Sequence, residues 1–196
     1  MNLRTPLSER TVRSLRLGEE VAIDGRVHIG RDEMHIRALE MREQGKEMPF
    51  DMNGGALYHC GPIARKSGGV WEIIAAGPTT SARMNSLEPL FIREFGVRAI
   101  IGKGGMSGPT LEAMQECGCV YLAFTGGAAV LAARSIKKVE RVEWLDLGMP
   151  EALWIVEARG LGPLVVAMDA HGNSLYDEVS AGVEDNLARL KGKLGR

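Results

Sequence analysis

Cysteine is too scarce here for a disulfide framework. Cys60, Cys117 and Cys119 are odd in number and irregularly spaced, which argues against a small secreted scaffold and for a reducing, cytoplasmic setting. Long apolar runs are missing too. Nothing approaches the roughly 18 to 20 residues of a membrane span, and Met1 to Glu9 is polar where a signal peptide carries its apolar core, so a soluble protein is expected. No charge of one sign dominates: 24 basic and 25 acidic side chains leave a formal net charge of −1. That steers the molecule toward neither nucleic acid nor anionic lipid, and any cationic function must be local. Metal-ligand spacing is absent as well. Four histidines and three cysteines offer only Cys117-x-Cys119, with no second pair for a zinc or iron–sulfur site, so no metal is expected on this chain alone. The 196 residues, 45% of them hydrophobic and free of repeats or linkers, predict a single domain over residues 1–196 with a sizeable core.

Glycine, by contrast, is abundant. Its 25 residues gather in Gly54-Gly55, Gly68-Gly69, Gly102 to Gly108 and Gly126-Gly127, and such clusters mark tight turns or backbone brought close to a ligand.

Apolar spacing predicts two short strand arms around an Asp24-Gly25 turn within Val21 to Ile29, then a helix from Arg31 to Gln44 ending at Gly45. Strands are expected at 56–59 and 70–76, with a turn at 66–69 between them. A helix from Met84 to Phe95 stops at Gly96. From there strand and helix alternate: strand 98–101, helix 110–117, strand 119–124, helix 128–135. The pattern implies an α/β fold with a β-rich front half and a βαβ section with parallel strands. Strands at 138–144, 152–157 and 164–169 and a closing helix from Asp177 to Leu190 complete the expectation.

Two basic residues follow strand-like runs. Arg83 closes Gly77-Pro78-Thr79-Thr80-Ser81-Ala82-Arg83, and Lys103 sits inside Gly102-Lys103-Gly104-Gly105. Both would emerge at strand ends, where α/β folds place ligand sites. Neither nucleotide fingerprint is met: Lys103 is followed by Gly104 rather than Ser or Thr, and Gly102-x-Gly104 is followed three positions later by Ser107. What the glycine loop can offer is backbone N–H groups and an ammonium to a carboxylate or phosphate. An ordinary βα turn with an exposed lysine is the bland alternative. Arg83 adds a guanidinium, which meets a carboxylate in two-pronged fashion. Thr79, Thr80 and Ser81 are equally suited to capping the helix that follows. Arg31 and His35, at i and i+4, share a helix face, where a helix-start Arg31-Asp32 pair with a half-buried histidine is the simpler reading and proton shuttling the sharper one.

Seven motifs occur in order: Arg31-Asp32-x-x-His35, Asn53-Gly54, Tyr58-x-x-Gly61-Pro62, Gly77-Pro78-Thr79-Thr80-Ser81-x-Arg83-Met84, Gly102-Lys103-Gly104-Gly105-Met106, Gly148-Met149-Pro150-Glu151-Ala152 and Asp169-x-x-Gly172-Asn173. Together they make the chain resemble the β subunit of the class I fumarase and L-tartrate dehydratase family, over nearly its whole length. The resemblance implies a swivelling β/β/α domain in an iron–sulfur hydro-lyase, whose 4Fe–4S cluster is ligated by three cysteines of a separate α subunit or N-terminal half. It further implies a heteromer of the α2β2 kind or similar, β–β contact included, with a small dicarboxylate as substrate and neither nucleic acid nor membrane as partner.

Carried over motif by motif, Arg31, Arg83 and Lys103 would hold substrate carboxylates, with Asn53 and Gly104 as further substrate contacts. Thr79 is the implied base for the C–H proton, making Thr79, Arg83 and Lys103 the catalytic set. His35 and Asp32 are supporting residues, and no ligand role comes to Cys60. The leading implied reaction is reversible hydration of fumarate to (S)-malate. The alternative is dehydration of L(+)-tartrate to oxaloacetate, since one hydroxyl would not register at carboxylate clamps. A reading of another class is a non-catalytic swivelling binding domain. Retention of Thr79, Arg83 and Lys103 together counts against it.

Overall fold

The computed structural model describes residues 1–194. In chain order the elements are β1 (Asn2–Arg4), α1 (Glu9–Ser14), β2 (Glu20–Gly30), α2 (Asp32–Glu43), β3 (Ala56–His59), β4 (Ile63–Ser67), β5 (Val70–Ala75), α3 (Glu88–Phe95), β6 (Ala99–Gly102), α4 (Gly108–Cys117), β7 (Val120–Ala123), α5 (Ala129–Ser135), β8 (Ile136–Glu143), β9 (Leu153–Met168) and α6 (Leu175–Leu194).

Strand pairing closes a ring in this mixed α/β fold. β2, β3, β6 and β7 lie side by side in parallel, and β9 completes the circuit antiparallel to both β7 and β2. The long β9 serves two neighbours because Val165 to Met168 face β7 while Trp154 to Val165 face β2. Closure of this kind leaves no open edge within the ring. β1 and β8 flank it on β2 and β9, and β4 and β5 form a separate hairpin. Because side chains alternate along a strand, each ring strand feeds two cores. Val27, Ile29, Ala56, Tyr58, Ala99, Ile101, Val120, Leu122, Trp154 and Val156 share one cluster. Residues of the opposite phase, Leu57, Ile100, Tyr121 and Ile155, pack with Met34 and Ala38 of α2, Phe91 and Ile92 of α3, and Ala113 and Met114 of α4.

The expected βαβ section is present as β6, α4 and β7, with Ala99 opposite Val120. Gly96 ends α3 at φ 63, its N–H bonded to the Ile92 carbonyl, as a helix-stopping glycine should. Three expectations change. Asp24-Gly25 is an irregularity inside one continuous strand, not a turn: register shifts flank it, and the Gly25 φ of 97 leaves room for Thr5, whose Oγ1 would lie 2.6 Å from a Cβ there. The two late strands merge into β9 across Gly160 (φ 65) and Gly162, which packs against the Val21 carbonyl. The helix expected from Met84 splits into a 3-10 turn, Ser81–Met84, and α3, which begins at Glu88 with a proline in its first turn. The N-terminal segment, read only as polar, supplies β1 and the start of α1.

Candidate active site

Parallel strands point the same way, so the C-terminal ends of β2, β3 and β6 collect at one rim. There the segment Pro78 to Ser81 is bonded between the ends of β3 and β6. The Thr79 N–H donates to the His59 carbonyl at 2.7 Å, Ser81 N–H to the Lys103 carbonyl at 2.9 Å, and Lys103 N–H to the Thr79 carbonyl at 3.3 Å. Thr80 and Lys103 thus form a one-residue parallel bridge, and two runs twenty residues apart in sequence become neighbours. Glycine is required for that approach. A Cβ on Gly102 would lie 2.0 Å from Ser81 Oγ, and Gly104, at φ 82, sits against Thr80. Gly105 lies under the Tyr176 ring.

The start of α2 brings the remaining cation. Arg31 precedes the helix and pairs with Glu151, whose second oxygen accepts the Glu33 N–H at 3.2 Å. Glu151 therefore does the capping that Arg31, at the N-cap position, cannot do. Gly61 makes room for this arrangement: a Cβ there would meet the Pro150 carbonyl at 2.9 Å and Arg31 Cζ at 3.1 Å. The next residue, Asp32, receives Arg83. Arg83 is half-exposed and Arg31 three-quarters buried. Lys103 is exposed, and among the described residues its ammonium makes no ion pair. The Thr79 side chain is partly exposed beside it.

Behind the rim lies a fully buried polar network. Glu88 Oε2 is 3.1 Å from His35 Nε2 and 3.0 Å from His59 Nε2, and all three side chains are without solvent exposure. His35 Nδ1 donates to the Arg31 carbonyl at 2.9 Å, a carbonyl being an acceptor only. His59 Nδ1 is 2.9 Å from Ser81 Oγ, which also receives the Tyr121 hydroxyl at 2.9 Å. Burial alone would raise the Glu88 carboxyl, but the two histidines outweigh it and hold it at about 2. Burial depresses His35, yet the charge and hydrogen bond of Glu88 reverse the sign and raise it, whereas for His59 burial prevails and its pKa falls.

The sequence-expected residues therefore do not all meet. Arg31, Asp32, Thr79, Arg83, Lys103 and Gly104 share the rim, and His35 lies beneath it. Asn53 does not join them: it precedes β3 at the opposite end of the parallel strands, packed against Gly96, where a Cβ would lie 2.7 Å from Asn53 Oδ1. His35, expected half-buried, is wholly buried. Glu88, His59, Ser81, Tyr121 and Glu151 were not singled out as site residues. Two of them carried a signal: Ser81, as a hydroxyl in the Thr79-Thr80-Ser81 run read for capping, and Glu151, as a carboxylate inside a motif that had to face some cation. The three cysteines do not fit an iron–sulfur cluster. Cys60 follows the C-terminal end of β3, while Cys117 and Cys119 flank the start of β7 at the other end of the strands. Burial pushes the Cys60 thiol up to about 12 and Cys119 well above its ordinary value, so neither is a ready thiolate.

The strand ring thus carries two guanidiniums, each paired with a carboxylate, together with an ammonium and a threonine at one rim. The family model for the fumarase C-terminus matches residues 1–179, and the chain belongs to this family, the class I fumarase and tartrate dehydratase β type. It is 46% identical over 187 residues (95% of this chain, 96% of the relative) to a protein of Methanocaldococcus jannaschii provisionally named L(+)-tartrate dehydratase subunit beta. To the L(+)-tartrate dehydratase subunit beta of Escherichia coli it is 42% identical over 176 residues, covering 90% of this chain and 86% of that one. A protein of Geobacillus stearothermophilus provisionally named class I fumarate hydratase is 40% identical over 192 residues, which is 97% of this chain and 36% of the longer relative.

Proposed function

We propose that the chain is the β subunit of an iron–sulfur-dependent hydro-lyase acting on a four-carbon dicarboxylate, with fumarate and (S)-malate as the first reading. The observation that carries the proposal is the backbone bridge between Thr80 and Lys103, which sets Thr79, Lys103 and Arg83 on one rim. Among the described residues the three cysteines lie at opposite ends of the strands and do not form a ligand set for the family's cluster, which would be held by an α subunit, in an α2β2 or similar assembly in a reducing cytoplasm. No helix of the described residues is long and apolar enough to cross a membrane. The open rim would meet the α subunit by a swivelling motion of this chain as one catalytic domain.

This chain's part in the reaction is electrostatic and positional. Arg31, Arg83 and Lys103 bind the two carboxylates and orient the carbon to be deprotonated toward Thr79. Removing the proton beside a carboxylate builds negative charge on that group, and fixed cations in a site closed to water stabilise it most where the charge develops. Thr79 holds or returns the proton at its hydroxyl. A free threonine hydroxyl is a feeble base, and the nearby Lys103 and Arg83 charges favour its ionised form. Glycine amides of the 102–105 loop add donors without adding bulk.

L(+)-tartrate is the second reading, favoured by the names of the Methanocaldococcus and Escherichia relatives. Anaerobic co-expression with the α subunit, cluster reconstitution and turnover assays separate the two. The expected result is interconversion of malate and fumarate. Turnover of tartrate alone replaces the first reading with the second, and a well-assembled complex inactive on both overturns the hydro-lyase assignment.

A further inference from the structure

The buried carboxylate Glu88 sits beneath two parts of the rim, the start of α2 and the Thr79 segment, which at the surface are joined by the Asp32–Arg83 pair. On one side it meets His35, whose other nitrogen donates to the Arg31 carbonyl. On the other it meets His59, which holds the Thr79 segment twice: its carbonyl accepts the Thr79 N–H and its ring faces Ser81 Oγ. We infer that Glu88, His35 and His59 are positioning residues that fix Arg31 and Thr79 relative to one another, with Ser81 and Tyr121 completing the second arm. This rests on the hydro-lyase reading for what Arg31 and Thr79 do, but not for how the network is built.

Donor and acceptor geometry favours one placement of the protons. The Tyr121 hydroxyl donates to Ser81 Oγ, so the Ser81 hydroxyl is free to donate to His59 Nδ1. With Ser81 donating, His59 carries its single proton on Nε2, 3.0 Å from Glu88 Oε2 in an ion-pair contact without hydrogen-bond geometry. His35 must donate from Nδ1 to a carbonyl and from Nε2 to a carboxylate, so it holds both protons. The buried cluster is therefore one carboxylate, one imidazolium and one neutral imidazole, with no net charge, the arrangement that burial tolerates best. The other titratable groups facing it, Asp32 on α2 and Tyr121 and Cys119 at β7, bring no positive charge. Two imidazoles and a carboxylate within reach of one another also resemble a metal-ligand set. Doubly protonated, His35 has no lone pair for a metal, so the imidazolium and a metal at this cluster are mutually exclusive, and the metal content of the chain tells them apart.

The two arms lead to different tasks, which makes the inference testable apart from stability. NMR of the intact, 15N-histidine-labelled chain near neutral pH should show His35 protonated on both nitrogens and His59 neutral, with the imidazolium pattern lost in Glu88→Gln. In the reconstituted complex, His35→Gln should loosen Arg31 and raise KM about tenfold with a smaller effect on kcat. Ser81→Ala should loosen Thr79 and lower kcat on the order of 10²-fold with KM little changed, the scale that small misplacements of reacting groups produce. Two neutral imidazoles in the spectrum would overturn the inference. So would a stoichiometric metal in the wild-type chain that Glu88→Gln abolishes, or natively melting variants that change kcat and KM in the same proportion. The spectrum needs no turnover, so it decides the network whether or not the hydro-lyase reading stands. Inactivity of the wild-type complex on both substrates counts against that reading alone.

Discussion

Asp32 holds Arg83 by a hydrogen bond from Nε to Oδ1 at 3.1 Å, with Nη2 at ion-pair distance from Oδ2, 2.9 Å away. The pair ties the first residue of α2 to the 3-10 turn that follows Thr79. Because Asp32 approaches one edge of the guanidinium, the other edge remains available to a carboxylate, and the same contact that locates Arg83 also aims it. Arg31 is held in parallel by Glu151. Two carboxylates, Asp32 and Glu151, thus hold two of the three cations at the start of α2.

Arg83→Lys keeps the charge and loses the fork. A lysine can reach Asp32 or a substrate carboxylate, but not both in fixed geometry. Turnover in the assembled complex is expected to fall severely. The melting temperature should scarcely move, because a half-exposed ion pair contributes about 0 to 1 kcal/mol. Steady-state kinetics beside a thermal melt check this, and wild-type kinetics in a natively folded variant would remove Arg83 from the site.

Gly102→Ala tests the junction between the two loops. The added methyl would stand 2.0 Å from Ser81 Oγ and 3.0 Å from the Tyr121 hydroxyl. Ser81 cannot swing aside without breaking contacts to His59 and Tyr121. Overpacking of this kind costs about 1–3 kcal/mol, measurable by urea unfolding. Adding Ser81→Ala to Gly102→Ala should recover part of the loss, because the offending atom is gone. Strict additivity of the two changes would mean that the clash is not with Ser81.

The rim residues were legible because their signals are local: an apolar run, then glycines or hydroxyls, then a cation. The network beneath them was not. His35 and Glu88 lie 53 positions apart and His59 and Ser81 22 apart, and no periodicity in either segment says that α2 and α3 turn these side chains toward one another. Asn53 shows the converse. Its motif is intact, but only the strand direction reveals that it stands at the wrong end of β3. Asp24-Gly25 read as a turn because its local chemistry is that of a turn. Pairing with β9 on one side and contact with Thr5 on the other make it a strand irregularity instead.

The cysteines offer a check on where the cluster resides. With thiols pushed upward by burial, Cys60 and Cys119 should resist alkylation near pH 8 until the chain is unfolded. Cys117, also raised but partly exposed, should react first. Mass spectrometry of labelled peptides gives the order directly. The purified chain should be colourless, and a stoichiometric iron–sulfur absorbance without any partner would contradict assignment of the cluster to the α subunit.

His28 predicts how stability responds to acid. Its ring is buried beside Phe50 with Nδ1 unpaired, and burial first, then the nearby Arg26 charge, push it down to about 4. Between its unfolded value near 6.5 and about 4, the unfolded chain binds a proton that the folded chain refuses, so stability falls as pH drops through that window. His59, also depressed, acts in the same direction. His35 acts oppositely: its raised pKa contributes stability that is fully present below 6.5 and is lost as pH rises. Glu88, held at about 2, contributes stability above 4.5 that is lost as pH falls toward 2, outside most of the window. His28→Gln removes this depressed group, and should flatten the loss between about pH 7 and pH 4.5 by on the order of 3 kcal/mol. Urea midpoints measured across that range test it. Parallel pH profiles for the variant and the wild type would mean that His28 is protonated in the folded chain.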